Sequence, residues 1–151
     1  MTKKNKQVRF WGRIFFVLYM ALALYFMFFS ESLDRTMVSR EYRYNLTLFK
    51  EIQRFWEMRH TYGWHVTIIN LLGNVVCFIP FGFLAPTISK KKIFKNIISV
   101  TLMAMIFSIC IETTQLLTKV GAFDVDDIFL NTIGGMVGYI LMKLTRVRKH
   151  I

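Results

Sequence analysis

The chain has 151 residues, 54% of them hydrophobic and 16% aromatic, with a formal net charge of +11. Together with a mean hydropathy of +0.41, this excludes an ordinary water-soluble globular domain, and the length leaves room for a single domain spanning 1–151. Cys77 and Cys110 both fall inside apolar runs, which argues against a disulfide framework or a zinc knuckle.

Four apolar segments approach the length of about 20 residues that a membrane-spanning helix needs. They cover about 10–29, 66–86, 96–117 and 127–144. The first has a basic flank like that of a secretion signal, but its apolar run is long. The "SESL" that follows lacks a small-x-small cleavage pattern, so a retained span is expected. Between the first two spans lies the longest polar stretch, Ser30 to His65. Its "YRYNLTLF" alternates polar and apolar residues, as an extended segment does. In "KEIQRFWEMRH", Ile52, Phe55, Trp56 and Arg59 recur at helical spacing. That pattern suits a short helix in the interfacial layer, or one packed on the end of the bundle.

Charge sets the expected orientation. Lys3, Lys4, Lys6, Arg9 and Arg13 precede the first span. Lys90, Lys91, Lys92 and Lys95 separate the second from the third, and Lys143, Arg146, Arg148 and Lys149 close the fourth. These 13 basic residues share one side of a four-span arrangement with no acid, while all nine carboxylates fall on the other. The positive-inside rule then places both termini in the cytoplasm. The basic excess serves topology and anionic headgroups, so no nucleic-acid partner is needed to explain it.

The second span carries Asn70, Asn74, Cys77 and Phe81 on one face. The third carries Thr101, Ala104, Ser108, Glu112 and Gln115, and the fourth carries Asp127, Asn131, Gly134 or Gly135, and Gly138. Gly134 and Gly138 have the small-xxx-small spacing that admits a close helix neighbour. Counting rise per residue puts Asn70 about 6 Å, and Glu112 and Asn131 about 7 Å, below the outer boundary. One polar cluster facing the bundle interior is therefore expected, with Asp124 and Asp126 in the turn above it. The amides have an ordinary reading as interhelical hydrogen-bond donors and acceptors, Asp124 as a solvated turn residue, and Asp126 as a helix cap. Glu112 is harder to place, since an ionised side chain at mid-helix costs about 2.5–3.5 kcal/mol on insertion scales. Three compensations are open: a proton, a basic group from the outer loop (Arg54, Arg59, His60, His65 or Lys119), or a divalent cation held by oxygens.

"INLLGNVVCFIPFGFL", "IETTQLL" and "FDVDDIFLNTIGGMVGY" resemble the signature segments of VanZ-like membrane proteins. "NLTLFKEI" is similar to that family's Asn-Leu-x-Pro-Phe pattern, with Leu48 where a proline is usual. The resemblance covers about residues 40–140. It implies an all-α protein of the bacterial cytoplasmic membrane, in a family named for a member that raises teicoplanin resistance. It carries functional weight onto Asn70, Gly73, Asn74, Pro80, Gly82, Glu112, Gln115, Asp124, Asp126, Asp127, Asn131 and Gly134. Some relatives have an arginine just before the acidic turn, where this chain reads "KVGAFD".

The expected function is non-enzymatic. Asn70, Asn74, Glu112, Gln115, Asp124, Asp126, Asp127 and Asn131 would bind a lipid-linked cell-wall precursor or a lipoglycopeptide at the outer leaflet, with a bridging Mg²⁺ or Ca²⁺ as one form of that contact. The alternative is a metal-assisted hydrolase or transferase of a lipid-linked phosphate. There Asp126 and Asp127 would hold the cation, with Glu112 as acid and base. A third reading makes the cluster purely structural. Neither the ligand nor the oligomeric state follows from the sequence.

Overall fold

The computed structural model describes residues 3–33, 41–89 and 91–147. Asp34, Lys90, Arg148 and Lys149, counted above among the flanking charges, lie outside the described residues. The described residues form six α-helices: α1 (Lys3–Leu33), α2 (Lys50–Glu57), α3 (Arg59–Tyr62), α4 (Trp64–Ile88), α5 (Ile97–Thr118) and α6 (Val125–Val147). α1, α4, α5 and α6 are each long and apolar enough to cross a membrane, and each expected span falls on one of them. The result is an all-α, multi-pass membrane architecture with two short helices in the first inter-span segment.

α6 is the hub, packed along both α4 and α5, while α1 lies against α4 and is the most exposed of the four. Glycines explain how close α6 comes to α4. A Cβ placed on Gly134 would fall 2.2 Å from the Val75 carbonyl oxygen, and one on Gly138 would fall 2.0 Å from that of Ile79. A Cβ on Gly82 would fall 1.9 Å from the Gly135 carbonyl oxygen. The two backbones are in direct contact, as a small-xxx-small seam allows. Matching positions advance together along both chains, so α4 and α6 run parallel. On the other flank, Gly135 meets Ala104 and Asn131 meets Ser108. That register descends along α5 as it ascends along α6, so these two helices are antiparallel.

Phe78, Phe81, Ala104 and Ile111 form the buried apolar centre, with Phe107 stacked on Phe81 at 5.5 Å between ring centroids. α1 joins this centre through Phe16 and through Tyr19, whose hydroxyl donates to the Cys77 carbonyl at 2.6 Å. α4 continues through Pro80 and Pro86, which spanning helices tolerate where neighbours satisfy the freed carbonyls.

One small element lies beyond the helical plan. β1 (Tyr44–Asn45) pairs in parallel with β2 (Phe123–Asp124), Tyr44 opposite Phe123 and Asn45 opposite Asp124. The main chain of the first inter-span segment is thereby joined to the turn between α5 and α6. The extended character read in "YRYNLTLF" is confined to these two residues.

Candidate functional site

The site is built on the turn that leads into α6. α5 ends at Lys119 in the left-handed conformation (φ 57), a common way to stop a helix. The chain then passes through β2, and Asp124 occupies the position before α6. Its Oδ1 accepts a hydrogen bond from the Asp126 main-chain nitrogen at 2.8 Å and from Asn45 Nδ2 at 3.1 Å. Asp124 is thus the cap of α6, satisfying one of the amides that a helix start leaves open. The cap expected at Asp126 is found two residues earlier, and Asp126 is released for a different task.

That task is to hold the outer loop. Asp126 is 1% exposed, and its carboxylate receives three main-chain N–H groups from the other side of the fold. Oδ1 accepts from Phe49, while Oδ2 accepts from Glu51 at 2.8 Å and Ile52 at 3.2 Å. These are the opening amides of α2, which has no side-chain cap of its own. A carboxylate at a helix N-terminus is favoured by hydrogen bonding and by the helix dipole.

The loop is shaped to deliver those amides. The Thr47 nitrogen donates to Asn45 Oδ1 at 3.1 Å, and the Lys50 nitrogen reaches the Thr47 carbonyl at 3.4 Å. Phe49 has φ 68 and ψ 5, so residues 47–50 form a type II turn with Leu48 at its second position and Phe49 at its third. A bulky residue with positive φ is strained. Here the Phe49 N–H is fixed by Asp126 and its ring stands edge-on to Phe129 at 5.3 Å.

Below this clamp lie the polar residues of the spans. Glu112 is 1% exposed and its Oε2 accepts from the Asp124 main-chain nitrogen at 3.1 Å. Asn131 is fully buried and its Nδ2 donates to Ser108 Oγ at 2.8 Å. Ser108 is one helical turn from Glu112, so Glu112 and Asn131 lie within about 6 Å in depth. Gln115 is also buried, one turn further along α5. The half-buried Asn74 donates through Nδ2 to Asp127 Oδ1, bridging α4 and α6.

The structure therefore brings Glu112, Gln115, Asp124, Asp126, Asp127, Asn131 and Asn74 to one end of the bundle. It does not bring Asn70 into the buried group. Asn70 is exposed, and its Nδ2 donates to the Val66 carbonyl of its own helix. It stands one turn before Asn74 on the same face of α4.

The compensation for the buried carboxylates includes a source that the sequence did not suggest. Main-chain amides serve Glu112 once, Asp126 three times and Asp124 once. Asn45 and the amides of Phe49, Glu51 and Ile52 are the site members that sequence reasoning missed. Ser108 was visible in the polar stripe of the third span. The loop residues were visible only as the string "NLTLFKEI".

Burial raises the pKa of Asp124 above the usual carboxylate range, an effect that its bonds from the Asp126 amide and Asn45 partly offset. Burial likewise raises Glu51, with the Arg54 guanidinium pulling it back and the Asp124 and Asp126 charges adding to the rise. The donor set does not fit a divalent cation at Asp126, because both of its oxygens already face N–H donors. Among the described residues, no three His, Cys, Asp or Glu side chains converge as metal ligands.

Over 82 residues the chain is 32% identical to Protein VanZ of Enterococcus faecium, an alignment covering 54% of this chain and 48% of the relative. The chain thus spans about half the length of the curated relative it matches. No solved structure matches it. The VanZ/LLP1 family model matches residues 16–146, which takes in α4, α5, α6 and the clamped loop together, and the chain belongs to the VanZ/LLP1 family.

Proposed function

We propose that this protein acts at the outer face of the bacterial cytoplasmic membrane, with both termini in the cytoplasm. There it binds a lipid-linked cell-envelope precursor or a lipoglycopeptide and lowers susceptibility to teicoplanin. The observation that supports this reading is the clamp of Asp126 on the loop amides. It holds an aromatic and cationic segment over the acidic end of the bundle: Arg59 lies 5.1 Å from the Trp56 ring and 5.6 Å from the Trp64 ring. Such groups suit the headgroup layer. In this reading the residues divide into two sets. Asp124, Asp126, Glu112, Gln115 and Asn131 form the buried frame. Asn74 and Asp127, half-buried, and Asn70, exposed beside them, make the ligand contact. A pre-shaped polar surface at headgroup depth recognises a ligand already anchored in the bilayer, which keeps the entropy cost of association low.

The test is expression in a sensitive Gram-positive host. Teicoplanin susceptibility should fall, and it should fall less for glycopeptides without a lipid tail, since only a membrane-inserted drug reaches this level. Asp127→Asn and Glu112→Gln, both nearly isosteric, should abolish the effect at unchanged membrane abundance. Unaltered susceptibility at confirmed expression overturns the resistance reading. Full protection by both variants shows the cluster to be structural.

A further inference from the structure

The opposite, basic end of the bundle holds a cleft that the polar site does not explain. It has a volume of about 480 Å³, and its walls include Lys95, Asn96, Ile97, Tyr139, Ile140 and Lys143. Lys95 ends a short 3-10 helix (Lys92–Lys95) just before the α5 span opens at Ile97, and Lys143 lies in the last turn of the α6 span, which closes at Thr145. Both ammonium groups therefore belong to the same membrane boundary.

Tyr139 ties the two elements together. Its hydroxyl donates to the Lys95 main-chain carbonyl, and Lys143 Nζ lies 5.8 Å from its ring centroid. The start of α5 borders the cleft as well, with Asn96 Oδ1 accepting from the Ile98 nitrogen at 3.0 Å. Beside the cations, Ile140 and Leu144 leave 41% and 56% of their surface exposed along α6. No acidic residue lines the cleft.

We propose that this cleft binds one anionic phospholipid. The phosphate sits between Lys95 and Lys143, and an acyl chain runs along Ile140 and Leu144. Three features select this occupant. Both cations line one cleft from two helices, Ile140 continues its wall about one turn deeper into the bilayer, and the level is that of the headgroups. Basic recesses between spanning helices recognise anionic headgroups in this way. A soluble anion would use the lysines but gain nothing from Ile140 and Leu144. Lys91 and Lys92 carry the same charge and are exposed, but they do not line this cleft. They serve as the internal control. The proposal does not rest on the function assigned to the acidic end.

Native mass spectrometry of the detergent-purified protein, titrated with phosphatidylglycerol or phosphatidylcholine, tests it. One phosphatidylglycerol should be retained in preference to phosphatidylcholine. Lys95→Gln with Lys143→Gln should weaken that retention about tenfold or more. Lys91→Gln with Lys92→Gln should leave it unchanged, and Lys95→Arg with Lys143→Arg should preserve it, because charge is kept. Equal retention of the two lipids overturns the proposal. So does an equal loss in both glutamine pairs, which marks a diffuse charge effect. Displacement of the lipid by millimolar inorganic phosphate makes this a free-anion site and also overturns it. If the first glutamine pair fails to fold, the arginine pair and the lipid preference of the unaltered protein still decide.

Discussion

The Asp126 carboxylate accepts a hydrogen bond at 2.8 Å from the main-chain nitrogen of Glu51, a residue 75 positions away in the chain. A residue in the first turn of one spanning helix thus caps a short helix of the first inter-span segment. The consequence for stability is direct. Asp126→Asn keeps one acceptor oxygen but turns an NH2 group towards loop amides that are themselves donors. At least one donor loses its partner in a buried setting, at a cost of about 1–3 kcal/mol. Thermal unfolding in detergent should show that loss, and proteolysis within residues 45–62 should quicken. An unaltered melting temperature and cleavage rate would show that the clamp contributes nothing.

The same loop makes a second prediction. Leu48 is the second residue of a type II turn, where proline is favoured because its fixed φ matches the turn. Leu48 is 47% exposed, so little burial is lost on replacement. Leu48→Pro should therefore stabilise the protein by about 0.4–1 kcal/mol, mainly by restricting the unfolded chain. A lower melting temperature would mean that the Leu48 backbone does not hold the geometry proline requires.

The spans were legible because length, hydropathy and lysine placement survive in one dimension. The stripe of Ser108, Glu112 and Gln115 was also legible, since three of its residues are buried on one face of α5. Helical phase failed for Asn70. It predicts a shared face with Asn74, but how far down that face the packing extends is set by α6 and the loop. The clamp was not readable at all. Main-chain amides carry no sequence signature, and nothing in residues 45–52 states that their N–H groups meet a carboxylate far along the chain. The resemblance pointed at both strings, and only the fold showed that they bind each other.

Asp124 gives a pH-dependent prediction. Burial raises its folded pKa above the unfolded value. Between those two values the folded protein holds a proton that the unfolded chain has released, so stability falls as pH rises through that window. Asp124→Asn keeps the oxygen that accepts from Asp126 and Asn45 but cannot ionise. The variant should be more stable than the parent at neutral pH, and the difference should shrink as pH falls from the raised folded value towards the unfolded one. Paired thermal melts across that range check this. A difference that grows on acidification would reverse the sign and show the ionised form to be the favoured one.

The α4–α6 seam predicts a contrast between two glycines of α4. A Cβ on Gly82 collides with the Gly135 carbonyl, whereas a Cβ on Gly73 meets nothing within 4 Å. Gly82→Ala must separate two backbones and should cost about 1–3 kcal/mol, as overpacking does. Gly73→Ala should instead be neutral or stabilising by up to about 1 kcal/mol, because alanine loses less backbone freedom in a helix. Melting in detergent separates the two. Equal effects would show that the seam is not the close contact described.

The last prediction concerns which side of the membrane the clamped loop occupies. Lys50 opens α2 beside the acidic end, while Lys91 lies between α4 and α5 at the basic end, and both are exposed. The 13 basic residues that share the Lys91 side, with no acid among them, predict by the positive-inside rule that this side is cytoplasmic. In a background with Cys77 and Cys110 replaced by alanine, a cysteine substituted for Lys50 should react with a membrane-impermeant maleimide on intact cells. One substituted for Lys91 should react only after the membrane is opened. The reverse pattern would place the Asp126 clamp, Asn74 and Asp127 in the cytoplasm. An antibiotic or precursor headgroup in the outer leaflet could not then reach them, and the proposed function would fail. The lipid cleft at Lys95 and Lys143 would survive that outcome, because its chemistry requires an anionic headgroup and not a particular leaflet.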